Sequence, residues 1–364
     1  MIDPNSLIRR LGVDPVALLL SNTLMGKLYD RSVRVVLAFA LTLAVSAACV
    51  SDLGSVAYKP LVSPVQRCMN LSGALEGPSE GEWGYTVRMS DIDKIADAGF
   101  DTIRLPVRWS AHAGKSGRYE LDSDMLARTD EIIDYALAKD MNVILNVHHY
   151  YQIHHNPSKH ERRLEGIWNQ LAAHYAAYPD TLIFEVLNEP HTKMTVERTD
   201  ALNKRIVANI RKTQTDRWIL LATAEWGSLP GLIESQPPQD PRIMLSWHYY
   251  DPFSFTHQGA EFFKPTPPIG AQWGNEDDLA RMTADFRAAA AFRDTHGMPL
   301  LLGEFGVFDA ASVEERVKWI STVRHLSEAN QFGWCHWGFS SNFQAYDPEK
   351  EAWIEPIRAA LLGD

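Results

Sequence analysis

Residues 182–190 read LIFEVLNEP. A nearly unbroken apolar run, 182–187, gives way at once to Asn188, Glu189 and Pro190. A strand that alternates apolar and polar residues has one wet face. A run like this one is buried on both faces, as parallel strands covered by helices are. Seven other runs share the pattern: CMNLS (68–72), DTIRLPV (101–107), NVILNV (142–147), RWILLA (217–222), IMLSW (243–247), PLLLGEF (299–305) and FGWCHWG (332–338). Between them lie stretches with helical spacing and frequent Ser or Asp starts, at 90–99, 122–140, 162–177, 200–213, 277–297 and 312–330. Eight strand–helix units in roughly 300 residues predict an α/β fold of the (β/α)8 TIM-barrel type. A doubly wound open sheet is the alternative. Against it, no Gly-x-Gly-x-x-Gly turn follows the first strand.

Composition narrows the class. Hydrophobic residues make up 45% and charged residues 22% of the 364, which excludes a largely disordered chain. The formal net charge of −11 argues against nucleic acid, or an anionic membrane surface, as a partner for the body of the protein. Three Cys without a C-x-x-C pair disfavour a zinc ribbon or a thioredoxin-like site. Eleven Trp and twelve Tyr exceed what a core needs, so a cleft lined with flat aromatic faces is expected.

The N-terminal 49 residues read as targeting. An apolar run, VVLAFALTLAV (35–45), follows Lys27, Arg31 and Arg34 and precedes Ser46-Ala47-Ala48-Cys49. It is shorter than the about 20 residues that span a bilayer, so a secretory signal is expected, with Met25 as the more natural start. The alternatives are an uncleaved amphipathic anchor and, through Cys49, a lipoprotein form. The expected organisation is a targeting segment at 1–49 and one catalytic barrel over 50–364. The expected location is secreted or periplasmic, with any membrane contact confined to the N-terminal segment.

In such barrels the functional residues sit at the C-terminal ends of the strands. Those ends carry Asn70, Arg104, His148-His149-Tyr150, Asn188-Glu189-Pro190, Glu225-Trp226, His248-Tyr249-Tyr250, Glu304 and Trp337. Buried carboxylates are costly unless partnered, so two Glu at the ends of apolar strands point to chemistry. Two carboxylates facing each other across one mouth suit glycoside hydrolysis: one is the nucleophile, and the other is an acid/base with a raised pKa. The retaining geometry places them about 5–5.5 Å apart.

The motifs GFDTIRLPVRW (99–109), VHH (147–149), FEVLNEP (184–190), HYY (248–250), LGEFG (302–306) and WGF (337–339) resemble glycoside hydrolase family 5, the cellulase family. CMNLSGALEG (68–77) resembles the opening strand of its bacterial members. The resemblance covers roughly residues 65–360. It implies a (β/α)8 fold, no cofactor, and retaining hydrolysis of β-linked glucans or mannans, with an endo-β-1,4-glucanase as the leading reading. It further implies Glu189 as acid/base and Glu304 as nucleophile. Arg104 and Tyr250 would hold Glu304, and Asn188 would bond the sugar 2-hydroxyl. His148 and His248 would line the subsite of the attacked sugar, with Trp337 as its floor. The implied partner is a β-linked polysaccharide or oligosaccharide, bound by a monomer.

Other readings stay open. A β-mannanase or a β-1,3-glucanase would use the same chemistry. A metal-dependent hydrolase would draw on His148, His149 and His248, and a non-catalytic glycan-binding barrel would keep the fold alone. His148 and His149, adjacent in an extended segment, are not expected to point inward together. His148 is favoured for the site, and His149 is kept as a second substrate-binding candidate. Glu225 matches no catalytic motif. Residues 251–274 are expected to form a cleft wall in which Trp273, together with Trp226, holds further sugar units. Glu76, Glu80, Glu82 and Trp83 are expected in another wall. Cys68 and Cys335 fall on neighbouring strands of a closed barrel. They are read as two buried free thiols, with a disulfide as the alternative.

Overall fold

Eight parallel strands close on themselves in chain order, β1 to β8, with β8 pairing back to β1. They are β1 (Arg67–Asn70), β2 (Thr102–Val107), β3 (Asn142–Val147), β4 (Leu182–Glu185), β5 (Ile219–Ala222), β6 (Ile243–Tyr249), β7 (Leu300–Phe305) and β8 (Gly333–His336). The structure, a computed structural model, describes residues 63–363. The targeting segment expected at 1–49, including Cys49, lies outside the described residues. Among the described residues no helix is long and apolar enough to cross a membrane. The fold is the expected (β/α)8 barrel; six predicted runs contain their strands, β1 starts one residue ahead of its run at Arg67, and β6 continues past its run to Tyr249.

The helices are α1 (Met89–Asp97), α2 (Ser123–Leu137), α3 (Tyr151–His155), α4 (Pro157–His174), α5 (Val196–Ile210), α6 (Leu229–Glu234), α7 (Phe253–Thr256), α8 (Glu276–His296), α9 (Val313–Ala329) and α10 (Glu355–Leu362). Caps set several boundaries. The Asp122 carboxylate accepts from the backbone N–H groups of Asp124 and Met125 and starts α2. Asn275 and Asp278 form a capping box at α8, which ends on Gly297 at φ 65°. Two helices begin earlier than their sequence pattern suggested. Pro157 opens α4 and Thr195 caps α5, both ahead of the apolar periodicity. A small hairpin, β9 (Tyr346–Asp347) with β10 (Ala352–Trp353), lies outside the barrel sheet.

The barrel interior is built in layers, because side chains two residues apart share a face. Cys68, Ile144, Ile183, Leu220, Met244, Leu301 and Cys335 pack with Val65 as one apolar cluster, drawn from every strand but β2. Two residues further along β1, β3, β4 and β6 stand Asn70, Asn146, Glu185 and Ser246, all buried and polar. The interior thus turns from apolar to polar toward the C-terminal ends. Cys68 and Cys335 are register partners on β1 and β8, and they are joined in a disulfide. This corrects the reading of two free thiols. Direct pairing of the two residues brings their sulfurs together, which strand adjacency alone did not decide.

Candidate active site

Arg104 stands in the centre of the polar layer, fully buried. Its guanidinium carries five N–H donors, and each finds an acceptor. Nε and Nη2 donate to the two oxygens of Glu185 at 2.6 and 2.7 Å. Nη2 also donates to Asn188 Oδ1 at 2.7 Å. Nη1 donates to Asn70 Oδ1 at 2.8 Å and to Glu304 Oε1 at 2.7 Å. Burial works against the cation, but Glu185 and then Glu304 outweigh that effect and keep it protonated. The fork fixes four side chains at once: Glu185, Glu304, Asn188 and Asn70.

Glu304 enters this layer through an irregularity. The register between β6 and β7 shifts at Trp247/His248, and that between β7 and β8 shifts between Leu302 and Phe305. His248 therefore pairs with Glu304. Gly303 makes room for this: a Cβ there would lie 2.2 Å from Ser246 Oγ and 3.1 Å from His248 Nε2. Glu304 Oε2 accepts from the Tyr250 hydroxyl at 3.2 Å. Burial raises the Glu304 carboxyl above the usual range, and His248 and Arg104 oppose that rise without cancelling it.

Glu189 follows β4 with a left-handed backbone, φ 44°. Its Oε1 lies 2.8 Å from His248 Nδ1. Desolvation pushes this carboxyl up to about 7, against the opposing charge of Arg104. Its side chain still keeps 28% of its surface accessible, so it faces the mouth of the cleft. One oxygen each of Glu189 and Glu304 and one ring nitrogen of His248 lie within 4.8 Å of one another. The two carboxylates are therefore at the close separation expected of a retaining pair.

The remaining expected residues surround this pair. His148 is buried, and its two ring nitrogens face the side-chain nitrogens of Asn146 (3.2 Å) and Asn188 (3.3 Å). Burial lowers its pKa well below the usual range. His148 stacks on Trp337 at 5.4 Å and 11°. His148, His149 and His248 do not come together as one ligand cluster; among the described residues His248 groups instead with Glu189 and Glu304. His149 departs from expectation. The strand has ended at Val147, and His149 turns to φ 47°, so its ring sits 4.4 Å from that of His148 instead of on the opposite face. It also meets Trp83 edge-on at 5.5 Å and stacks on Tyr151 at 5.1 Å.

Among the candidate walls, residues 251–274 form an ordered one. His257 packs on Tyr250 and stacks on Phe253, and the Gln258 side chain ties Phe255, Gly270 and Ala271 together. Trp273 does not face the cleft. It is 5% exposed, packs near Phe255 and belongs to the core between barrel and helices, which corrects its reading as a sugar platform. Trp226 does fit such a role: it is 51% exposed and stacks on His191 at 4.7 Å and 9°. The first-strand loop is split. Trp83 lies by His149, whereas Glu80 pairs with Arg128 and Glu76 is buried, accepting from Gly73 and Ala74. The sequence reading missed Glu185. Its signal was a carboxylate inside an apolar strand, a position Glu holds only when paired.

The family model "Cellulase (glycosyl hydrolase family 5)" matches residues 66–342. The chain belongs to glycosyl hydrolase family 5. Among curated relatives, Endoglucanase H of Acetivibrio thermocellus is 31% identical over 268 residues, 74% of this chain and 29% of that protein. Endoglucanase B of Clostridium cellulovorans is 27% identical over 338 residues, 84% of this chain and 75% of that protein. This family 5 chain thus spans under a third of the first relative's length and three quarters of the second's. Among solved structures, Thermotoga maritima Cel5A in complex with cellobiose superposes with a TM-score of 0.81 at 35% identity, covering 82% of this chain and 97% of that one. The same enzyme has also been solved with mannotriose.

Proposed function

We propose that the protein is a retaining endo-β-1,4-glucanase in which Glu304 is the nucleophile and Glu189 the acid/base. The observation that carries the reading is the unequal setting of two carboxylates within 4.8 Å. Glu304 receives a charge-assisted bond from Arg104 and a hydroxyl bond from Tyr250, both of which favour its ionised form. Glu189 has its carboxyl pushed up to about 7, so it holds a proton near neutral pH.

In the first step Glu304 attacks the anomeric carbon while Glu189 passes its proton to the departing glycosidic oxygen, giving a glycosyl-enzyme. In the second, Glu189 takes a proton from water, the water oxygen attacks the anomeric carbon, and Glu304 leaves. His248 holds Glu189 through Nδ1, and Asn188, fixed by Arg104, faces the sugar 2-hydroxyl. His148 and Trp337 form the floor of the attacked sugar's subsite, and His149 borders it. Trp226 offers a flat face to a sugar on the Glu189 side, the side of the leaving group.

The Acetivibrio and Clostridium relatives are named endoglucanases, which supports a glucan substrate. The mannotriose complex of the Thermotoga enzyme favours mannan as a second substrate. Export, read from the segment before residue 50, remains part of this proposal. The test is twofold. NMR of the first product of cellopentaose should show the β-anomer. Carboxymethyl-cellulose should lose viscosity well before much reducing sugar appears. An initial α-anomer would sink the covalent mechanism, and release of single glucose units at constant viscosity would sink the endo reading.

A further inference from the structure

His191 touches both halves of the proposed machinery. It is the residue after Pro190 in the Asn188-Glu189-Pro190 turn. Its Nδ1 lies 2.7 Å from the backbone carbonyl oxygen of Glu189 and donates to it. On one side its ring stacks on Trp226 at 4.7 Å and 9°. It also stacks on His154 at 3.9 Å and 21°. His154, at the C-terminal end of α3, is buried, and its Nδ1 has no partner. The two segments are stitched elsewhere as well: Trp226 N donates to Pro190 O, and Lys193 N donates to His154 O.

Both ends of this contact need support. Glu189 and Trp226 have left-handed backbones, at φ 44° and φ 58°. Non-glycine residues hold that conformation only when neighbours enforce it. An exposed indole, moreover, binds a sugar well only if its plane is fixed before the sugar arrives. A ring sandwiched between His154 and Trp226 fixes that plane. The same ring's N–H braces the carbonyl of the residue that donates the proton.

We infer that His191 is a positioning residue that couples the sugar-binding face of Trp226 to the backbone presenting the Glu189 carboxyl. The inference rests on the acid/base role of Glu189 and the platform role of Trp226 proposed above. It predicts that sugars bound on the leaving-group side improve protonation as well as binding, because one rigid ring serves both.

Three substitutions separate the two contacts. His191→Phe keeps a ring in the stack and removes the donor to Glu189. His191→Asn keeps a short donor and removes the ring. His191→Ala removes both. The substrates are cellohexaose, which reaches Trp226, and two aryl cellobiosides: phenyl, which needs a proton to depart, and dinitrophenyl, which does not. His191→Phe should lose about tenfold in kcat/KM on the phenyl glycoside, with a much smaller loss on the dinitrophenyl one and a small change in KM for cellohexaose. His191→Asn should show the reverse: KM for cellohexaose up by about tenfold, with the phenyl-to-dinitrophenyl ratio nearly held. Trp226→Ala should raise KM for cellohexaose more than for either aryl substrate, and adding His191→Ala to it should raise that KM little further. Thermal melts check that each variant is folded.

If Trp226→Ala behaves this way but His191→Phe and His191→Asn give one common profile, the coupling is refuted and the platform stands. If Trp226→Ala leaves cellohexaose unaffected, the platform reading fails and takes the coupling with it. If Glu189→Gln loses equally on phenyl and dinitrophenyl glycosides, the acid assignment fails instead.

Discussion

Glu185→Gln tests the buried charge network most directly. Glu185 accepts from Nε and Nη2 of Arg104, and both side chains are fully buried. Gln has nearly the same shape but replaces one acceptor oxygen with an amide NH2, which only donates. One Arg104 N–H then faces another donor. A buried unsatisfied donor costs about 1–3 kcal/mol, and removing one partner of a buried ion pair about 3–5 kcal/mol. Because Gln retains one acceptor, the lower end, about 3 kcal/mol, is expected. For a domain of this size that is a fall in Tm of about 5 °C. The second readout is catalytic. With Glu189 as the acid, activity requires its protonated form, so kcat/KM should fall as pH rises through about 7. The negative charge of Glu185 is one of the influences holding the Glu189 carboxyl up. Removing it lowers that carboxyl, so the basic limb should move to lower pH and the bell should narrow. Calorimetry and a pH series of kcat/KM on cellopentaose measure both. A basic limb that stays put, or moves up, while Tm falls would refute the electrostatic argument and leave Glu185 a packing residue only.

Glu304→Gln and Glu189→Gln should fail differently: the first on every substrate, the second least on dinitrophenyl cellobioside, with azide restoring its deglycosylation. Equal losses without an azide effect would reverse or void the assignments. Trp273→Ala should leave the preference for long over short cello-oligosaccharides intact and lower unfolding free energy by about 3–5 kcal/mol, because it empties a buried site; a urea titration decides it. Replacing Cys68 and Cys335 together by Ala should cost about 2–4 kcal/mol, read the same way, since the bridge closes most of the barrel into one covalent loop.

The strands were legible because burial on both faces writes nearly continuous apolar runs, and the two catalytic candidates because a carboxylate ending such a run has no packing purpose. The disulfide was not legible, since adjacency of β1 and β8 does not give register. His149 was misjudged for a related reason: alternation is a rule of strands, and β3 stops two residues before it. Glu304 reaches the mouth through a register shift that no local pattern announces. Trp273 shows the limit of composition. An aromatic in a loop rich in Pro and Phe suits a sugar platform or a core plug equally, and the burial of Trp273 in the core decides. Glu185 was visible in principle as a charge inside β4, but its meaning depends on a partner 81 positions away.

The disulfide and the apolar layer sit toward one end of the barrel, where Asp140 and Gln331 also have left-handed backbones, while a denser set, His149, Glu189, Glu225 and Trp226, rings the other. Each such residue carries about 1–2 kcal/mol of conformational cost held in check by its neighbours. The two ends should therefore age differently under heat. The sealed base keeps its shape, while the rim relaxes first and detunes the carboxylate pair. Heating should silence the enzyme several degrees before circular dichroism registers any melting. Rigidifying the base would then lengthen the life of the scaffold without lengthening the life of the catalyst, so useful thermostability in this chain has to be built at the rim.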